Sequence, residues 1–222
     1  MLNNINILVL CTWIVFSLFL LLRIVIDNEN SNLKKIQFIK IKDIAETGDL
    51  ICFRWNYVDA LFRIFSNFSH VGMIIKINKK LYILEIHPNE DDKINGGVHL
   101  YLLENRIKGY YGNYYYTKLN TTYKKRKNIK NHIKSNLQFY KQSIHFDDNF
   151  KYIFVQNYIY NLFNLKINKR NTMFCSEFIG NILKKTNIYV YHNLISLHPS
   201  SFLNFKINQK YLYQDLQEIL FQ

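Results

Sequence analysis

The sequence has almost no proline and little glycine, two and seven in 222 residues. So few breakers exclude a collagen-like or Pro/Gly-rich low-complexity chain and leave long stretches free for regular elements. Cysteine is scarce too, with only Cys11, Cys52 and Cys175. Cys11 stands in an apolar run, so at most one intradomain disulfide can form; a disulfide framework is excluded and a reducing compartment is the simpler assumption. No two Cys or His residues share a ligand spacing such as C-x2-C, so neither a metal nor another cofactor is expected. Acidic residues are missing from Asn105 to Phe146, a stretch that is rich in Lys and Arg and contributes much of the net charge of +13. Such a block reads first as a solvated face. The sharper readings are anionic lipid, held at Lys124, Lys125, Arg126 and Lys127, or nucleic acid, which ranks last because no nucleic-acid motif accompanies it.

What is present is apolar and aromatic. At 49% hydrophobic and 16% aromatic, the chain can build a substantial core and is not a disordered polypeptide. Residues 7–26 read ILVLCTWIVFSLFLLLRIVI, with Arg23 the only charge. As a helix this run matches the hydrocarbon thickness, and an uncleaved single-pass anchor is favoured over a cleaved signal peptide, which would want a basic start and a small-residue cleavage site. Met1 to Asn6 carry no Lys or Arg, whereas Arg23, Lys34, Lys35 and Lys40 follow the run, so the positive-inside rule puts the C-terminal part in the cytosol. Two sequons, at Asn67 and Asn120, would be glycosylatable on the other side; the first abuts His70, which weakly supports the cytosolic choice. The expected organisation is an anchor and linker over residues 1–30 and one catalytic domain over 31–222, with a basic insertion at about 118–134.

Along that domain, Ile36 to Ile41 alternates as an entering strand would, Thr47-Gly48-Asp49 forms a turn, and Leu50 to Phe53 reads as a buried strand. Val58 to Phe65 reads as a short helix. His70 to Ile77 and Lys80 to His87 flank Asn78-Lys79, the strongest hairpin signal in the chain. A two-residue loop there pairs Ile77 with Lys80, sets His87 opposite His70 and Glu85 opposite Gly72, and puts Glu85 on the same face as His70. Strands are expected at Val98 to Leu102 and Tyr114 to Leu119, and helices at Thr122 to Gln142, Lys151 to Phe163 and from Cys175 to about Lys185. The tail is ambiguous between helix and strand.

The Cys175 helix carries the candidate chemistry. With Thr172 or Asn171 as N-cap, Cys175 falls in the first helical turn, where the dipole and free N–H groups favour a thiolate. A small buried apolar residue is the alternative, and most lone cysteines are that. A nucleophilic thiol needs a base, which imidazole supplies near neutral pH, and a third group to fix the ring. His70 at the head of its strand and Glu85 on the neighbouring one are placed to serve, although His70 could be a satisfied core histidine and His87 the true partner of Glu85. Cys52, His99, His192 and His198 read as structural.

Taken in order, Gly48-Asp49-Leu50-Ile51, Ser69-His70-Val71-Gly72-Met73-Ile74, Leu84-Glu85 and Phe174-Cys175-Ser176-Glu177-Phe178 resemble the permuted branch of the NlpC-type papain-like superfamily. The likeness is to its YiiX-like and poxvirus virulence protein-like members, with lecithin:retinol acyltransferase a more distant relative. It continues through Gly97 to Leu100 and Leu103 to Arg106, and covers roughly residues 44 to 205. It implies a circularly permuted papain-like α+β fold, a small antiparallel sheet packed on the cysteine-bearing helix and preceded by the N-terminal transmembrane helix. It further implies Cys175 as nucleophile, His70 as base, Glu85 as orienting group, and amide or ester cleavage or acyl transfer through a thioester, on a substrate that could be lipid-linked. The other reading kept open is a catalytically silent membrane scaffold that binds anionic lipid or a partner protein through its basic segment.

Overall fold

The computed structural model describes residues 13–14, 17–18, 33–55, 66–87, 96–146, 172–189, 197, 199–204, 206–207 and 210–221. Apolar alternation and the Asn78-Lys79 turn place the first hairpin. Strands β3 (His70–Ile77) and β4 (Lys80–His87) pair antiparallel with Ile77 opposite Lys80 and Met73 opposite Leu84. Asn78 and Lys79 both take positive φ, 47° and 66°, the conformation a two-residue turn needs to match the strand twist. Around this hairpin grow β1 (Lys34–Gln37), β2 (Leu50–Trp55), β5 (Gly97–Leu102), β6 (Gly112–Leu119) and β11 (Tyr213–Leu220), in the spatial order β1-β11-β6-β2-β3-β4-β5. Every neighbour is antiparallel except β1 and β11, which run parallel. The short strands β7 (His145–Phe146) with β8 (Thr172–Met173), and β9 (Lys206–Ile207) with β10 (Lys210–Tyr211), form two small ribbons.

Side chains alternate along each strand, so the sheet buries both faces. One face carries Leu50, Cys52, Val71, Met73, Leu84 and Ile86 against α3 (Tyr123–Ser143) and α4 (Cys175–Lys185). The other carries Ile51, Phe53, Ile74 and Ile83 against α1 (Phe38–Ile44) and α2 (Leu103–Lys108). A short helix, α5 (Ser201–Asn204), precedes the last ribbon. On α4 the side chains of Phe178, Ile179, Ile182 and Leu183 are all buried. At about 1.5–3 kcal/mol for each such side chain, packing rather than helix propensity holds this helix down.

Several expectations are corrected. The sheet is not small and purely antiparallel but seven-stranded and mixed, with helices on both faces; β1 and β11 come from opposite ends of the described chain, a long-range pairing that leaves no local sequence signal. Ile36 to Ile41 is not one strand: the extended segment ends at Gln37 and α1 begins at Phe38, because Phe38 and Ile41, three apart, then bury together on one side. The membrane-spanning helix, and the single-pass placement with a cytosolic C-terminal domain that depended on it, are also overturned. Among the described residues no helix is long and apolar enough to cross a membrane. The 21-residue α3 has the length, but lysines run along its outer side. Of residues 7–26 only 13, 14, 17 and 18 are described, as helix; the rest of that run lies outside the described residues, as do the helices expected at 58–65 and 151–163.

The basic segment divides in the structure. Lys124 and Lys127 are exposed and Lys125 half-buried, but Arg126 is buried on the inner side of α3. Its Nη1 donates to the Asp49 carboxylate at 2.7 Å and to the Thr47 carbonyl at 2.8 Å, and its Nη2 donates to the Leu119 carbonyl. Asp49 also accepts from the Tyr116 hydroxyl and the backbone N–H groups of Glu46 and Leu119, so this buried acid is fully satisfied. The Thr47-Gly48 turn lies against the same helix. Gly48 takes φ 98°, and a Cβ there would stand 2.7 Å from Leu119 and 2.8 Å from Ile129.

Candidate active site

Cys175 is the first residue of α4, so the helix begins two residues later than an N-cap at Thr172 would start it. The cap is Phe174, whose side chain has no hydrogen-bonding atom. The Glu177 carboxylate supplies the cap alone, accepting from the Phe174 N–H at 3.4 Å. Ser176 donates to the Leu197 carbonyl at 2.6 Å and so ties the first turn of the helix to a later segment. Cys175 itself is 7% exposed, at the end of the core that α4 shares with β3 and β4.

His70 opens β3 at the rim of the sheet, and the structure brings it beside Cys175, near enough for the thiol to act on the charge of the imidazole. The Nε2 atom of His70 lies 2.7 Å from Oε2 of Glu85. That occupation leaves Nδ1 as the ring nitrogen for the sulfur. Glu85 is completely buried, and its second oxygen, Oε1, accepts from Nε of Arg106 at 2.5 Å. Gly72 on β3 leaves space for Ile83, whose side chain would stand 2.6 Å from a Cβ there.

The electrostatics follow from burial and pairing. Burial alone would push the His70 pKa down. The nearby charge of Cys175, and then the hydrogen bond and charge of Glu85, outweigh it and raise the pKa to about 9. Burial alone would likewise raise the Glu85 carboxyl, but His70 and Arg106 hold it at about 2. His70 is therefore an imidazolium at neutral pH, flanked by a carboxylate and a sulfur. Cys52, by contrast, sits fully buried on β2, and burial, with a smaller contribution from the charge of Cys175, pushes its thiol up, away from reactivity.

The three residues singled out in the sequence thus lie together. His87 does not take the place of His70 beside Glu85; its Nε2 meets the Tyr101 hydroxyl at 3.0 Å. His99 is opposite Glu85 across the β4–β5 pair, its ring in a cluster with those of His87 and Tyr101, and burial lowers its pKa. His192 and His198 lie outside the described residues. Sequence reasoning gave no role to Arg106. The available signal was that a buried carboxylate on β4 needs more than one partner, and that α2 follows β5 at once and so must fold back over the same face. Among the described residues no group of three or more His, Cys, Asp or Glu side chains could hold a metal ion.

No family model and no curated protein matches the chain. Among solved structures it is similar to the metalloprotein yiiX from Escherichia coli O157:H7, with 17% identity and a TM-score of 0.42 over 64% of this chain and 66% of that one. The chain thus matches just under two thirds of that protein's length. The neighbour is of the YiiX type that the sequence motifs resemble, and the similarity is distant.

Proposed function

We propose that the chain is a cysteine hydrolase or acyltransferase that cleaves an ester or amide through a thioester on Cys175. One observation carries this reading: a His70 ring held between the sulfur of Cys175 and the buried carboxylate of Glu85, at the N-terminus of a helix. His70 holds the proton given up by Cys175, and the thiolate beside it attacks the carbonyl carbon, pushing the carbonyl electron pair onto oxygen. The N–H of Cys175 is among the first helical N–H groups, which have no acceptor within the helix, and it stabilises that oxyanion. When the tetrahedral species collapses, the leaving amine or alkoxide departs with the proton from His70 and the thioester remains. Water, or an acceptor amine or alcohol, attacks the thioester and gives its proton to His70, and the sulfur leaves as thiolate. Glu85 stays ionised throughout and keeps the ring in orientation.

The test is incubation with p-nitrophenyl acetate, followed by mass spectrometry of the intact chain and its peptides. An acetyl group on Cys175, discharged by hydroxylamine, is expected. It should be absent in Cys175→Ser and form roughly 100-fold more slowly or worse in His70→Ala. Acetylation confined to lysines, or equal rates in His70→Ala, would sink the proposal. No specific observation favours the silent-scaffold reading, and one of the four basic residues assigned to it, Arg126, is spent on Asp49.

A further inference from the structure

We propose that Arg106 is a positioning residue, which fixes Glu85 as an aimed carboxylate so that its other oxygen holds the His70 ring toward Cys175. This deepens the cysteine hydrolase or acyltransferase reading and rests on it. The geometry is specific. Arg106 Nε reaches Oε1 of Glu85 at 2.5 Å while Oε2 is 2.7 Å from His70 Nε2, so the two partners take different oxygens and the carboxylate cannot turn without breaking one contact.

The guanidinium is itself fixed. It lies over the faces of Phe53, 5.4 Å from the ring centroid, and Tyr110, at 5.7 Å, and those two rings meet edge-on at 4.8 Å. Phe53 also touches the His70 ring, with centroids 5.4 Å apart, so one aromatic side chain supports both ends of the relay. Beneath Arg106, α2 is anchored by Leu103 and Ile107, both buried in the core of that face. A guanidinium only 12% exposed and a carboxylate wholly buried interact with little screening, so the contact is directional as well as ionic.

Among the described residues the charged and titratable groups around the relay are Cys175 from α4, Cys52 from β2, His70 from β3, Glu85 and His87 from β4, His99 from β5, Arg106 from α2 with Tyr110 after it, and, farther off, Lys141 from α3. Arg106 and His70 both favour the ionised form of Glu85. Replacing Arg106 by a neutral side chain leaves a buried carboxyl with one of its two cationic partners, and its protonation moves up toward or beyond its ordinary value of 4.5. A protonated Glu85 can no longer balance the imidazolium, so Cys175 loses its reactive form on the acid side.

The experiment measures the rate of Cys175 carbamidomethylation by iodoacetamide between pH 4 and 9 in the full chain, with the Glu85 carboxyl followed by carbon NMR and assigned through Glu85→Gln. In Arg106→Gln the expected result is an acid limb at least about one pH unit higher than in the unsubstituted chain, with a Glu85 titration that moves with it. The rate at pH 4, below a limb displaced past the ordinary carboxyl value, should fall several-fold, while the rate at pH 7 should hardly change. Arg106→Lys, which keeps the cation and the apolar stem but not the planar fork, should fall between the two and guards against a loss of folding in the neutral variant. Adding Arg106→Gln to Glu85→Gln should cost no further rate, because Arg106 acts only through that carboxylate. Unchanged limbs in both Arg106 variants, or a further loss in the double variant, would overturn the inference. If Cys175 of the unsubstituted chain reacts no faster than a free thiol, it is the reading of the site that fails, which is a separate result.

Discussion

At the scale of single residues, the decisive contrast is between two buried cysteines on the same sheet face. Cys52 lies mid-strand among apolar side chains with its thiol pushed up by burial, whereas Cys175 begins a helix and meets an imidazole. The pairing of His70 with Glu85 also sets a pH dependence of stability. Glu85 is depressed from an ordinary 4.5 to about 2, so its contribution is present above about 4.5 and is lost as pH falls through about 2. His70 is raised from 6.5 to about 9, so its contribution is complete below about 6.5 and is lost as pH rises through about 9. Both are in force together between about 4.5 and 6.5. The gap in urea midpoint between the unsubstituted chain and Glu85→Gln should be widest there and narrow on either side. A gap that does not vary with pH would contradict the assigned pairing.

At the scale of elements, the hairpin that carries His70 and Glu85 was readable from the sequence, and the reason is local. Its alternation is regular, its turn is two residues long, and a one-residue slip would send every side chain to the wrong face. The same turn holds Lys79 at φ 66°, a conformation that costs a residue with a Cβ. Lys79→Gly should raise stability by about 0.5–1 kcal/mol in urea denaturation, the left-handed strain relieved exceeding the chain entropy lost. In the opposite direction, Gly72→Ala would bring a Cβ within 2.6 Å of the Ile83 side chain. A loss of about 1–3 kcal/mol is expected from the overpacking, read as a lower urea midpoint. β11 was not readable for the converse reasons. Its register shifts between Gln214 and Gln217, Asp215 takes φ 57°, and its partners β1 and β6 are far away in sequence. A strand defined by such pairings has no periodicity of its own to betray it.

At the scale of the whole molecule, a buried ion pair joins parts that the hydrophobic pattern alone would leave loosely coupled. Arg126 of α3 and Asp49 beside β2 connect the long basic helix to the Thr47-Gly48 turn, and the Leu119 and Tyr116 contacts extend the link to β6. The sequence showed Asp49 in a turn motif and Arg126 in a basic run, and nothing in either paired them. Charge runs are read as surfaces, and one member turned inward is visible only when the helix is docked. Arg126→Ala should cost about 3–5 kcal/mol in urea denaturation, since it strands a buried carboxylate, whereas Lys124→Ala or Lys127→Ala should stay within about 0.5 kcal/mol. Equal and small effects for all three would remove Arg126 from the interior.

The central claim is that Cys175 and His70 form a reactive pair, and the pH dependence of Cys175 alkylation tests it most directly. Iodoacetamide should modify Cys175 at pH 6 at least about tenfold faster than a free thiol of ordinary acidity, an advantage that His70→Ala abolishes while Cys52 stays unmodified in the folded chain. A Cys175 rate that equals the free thiol and rises only with bulk hydroxide, unchanged by His70→Ala, would contradict the account.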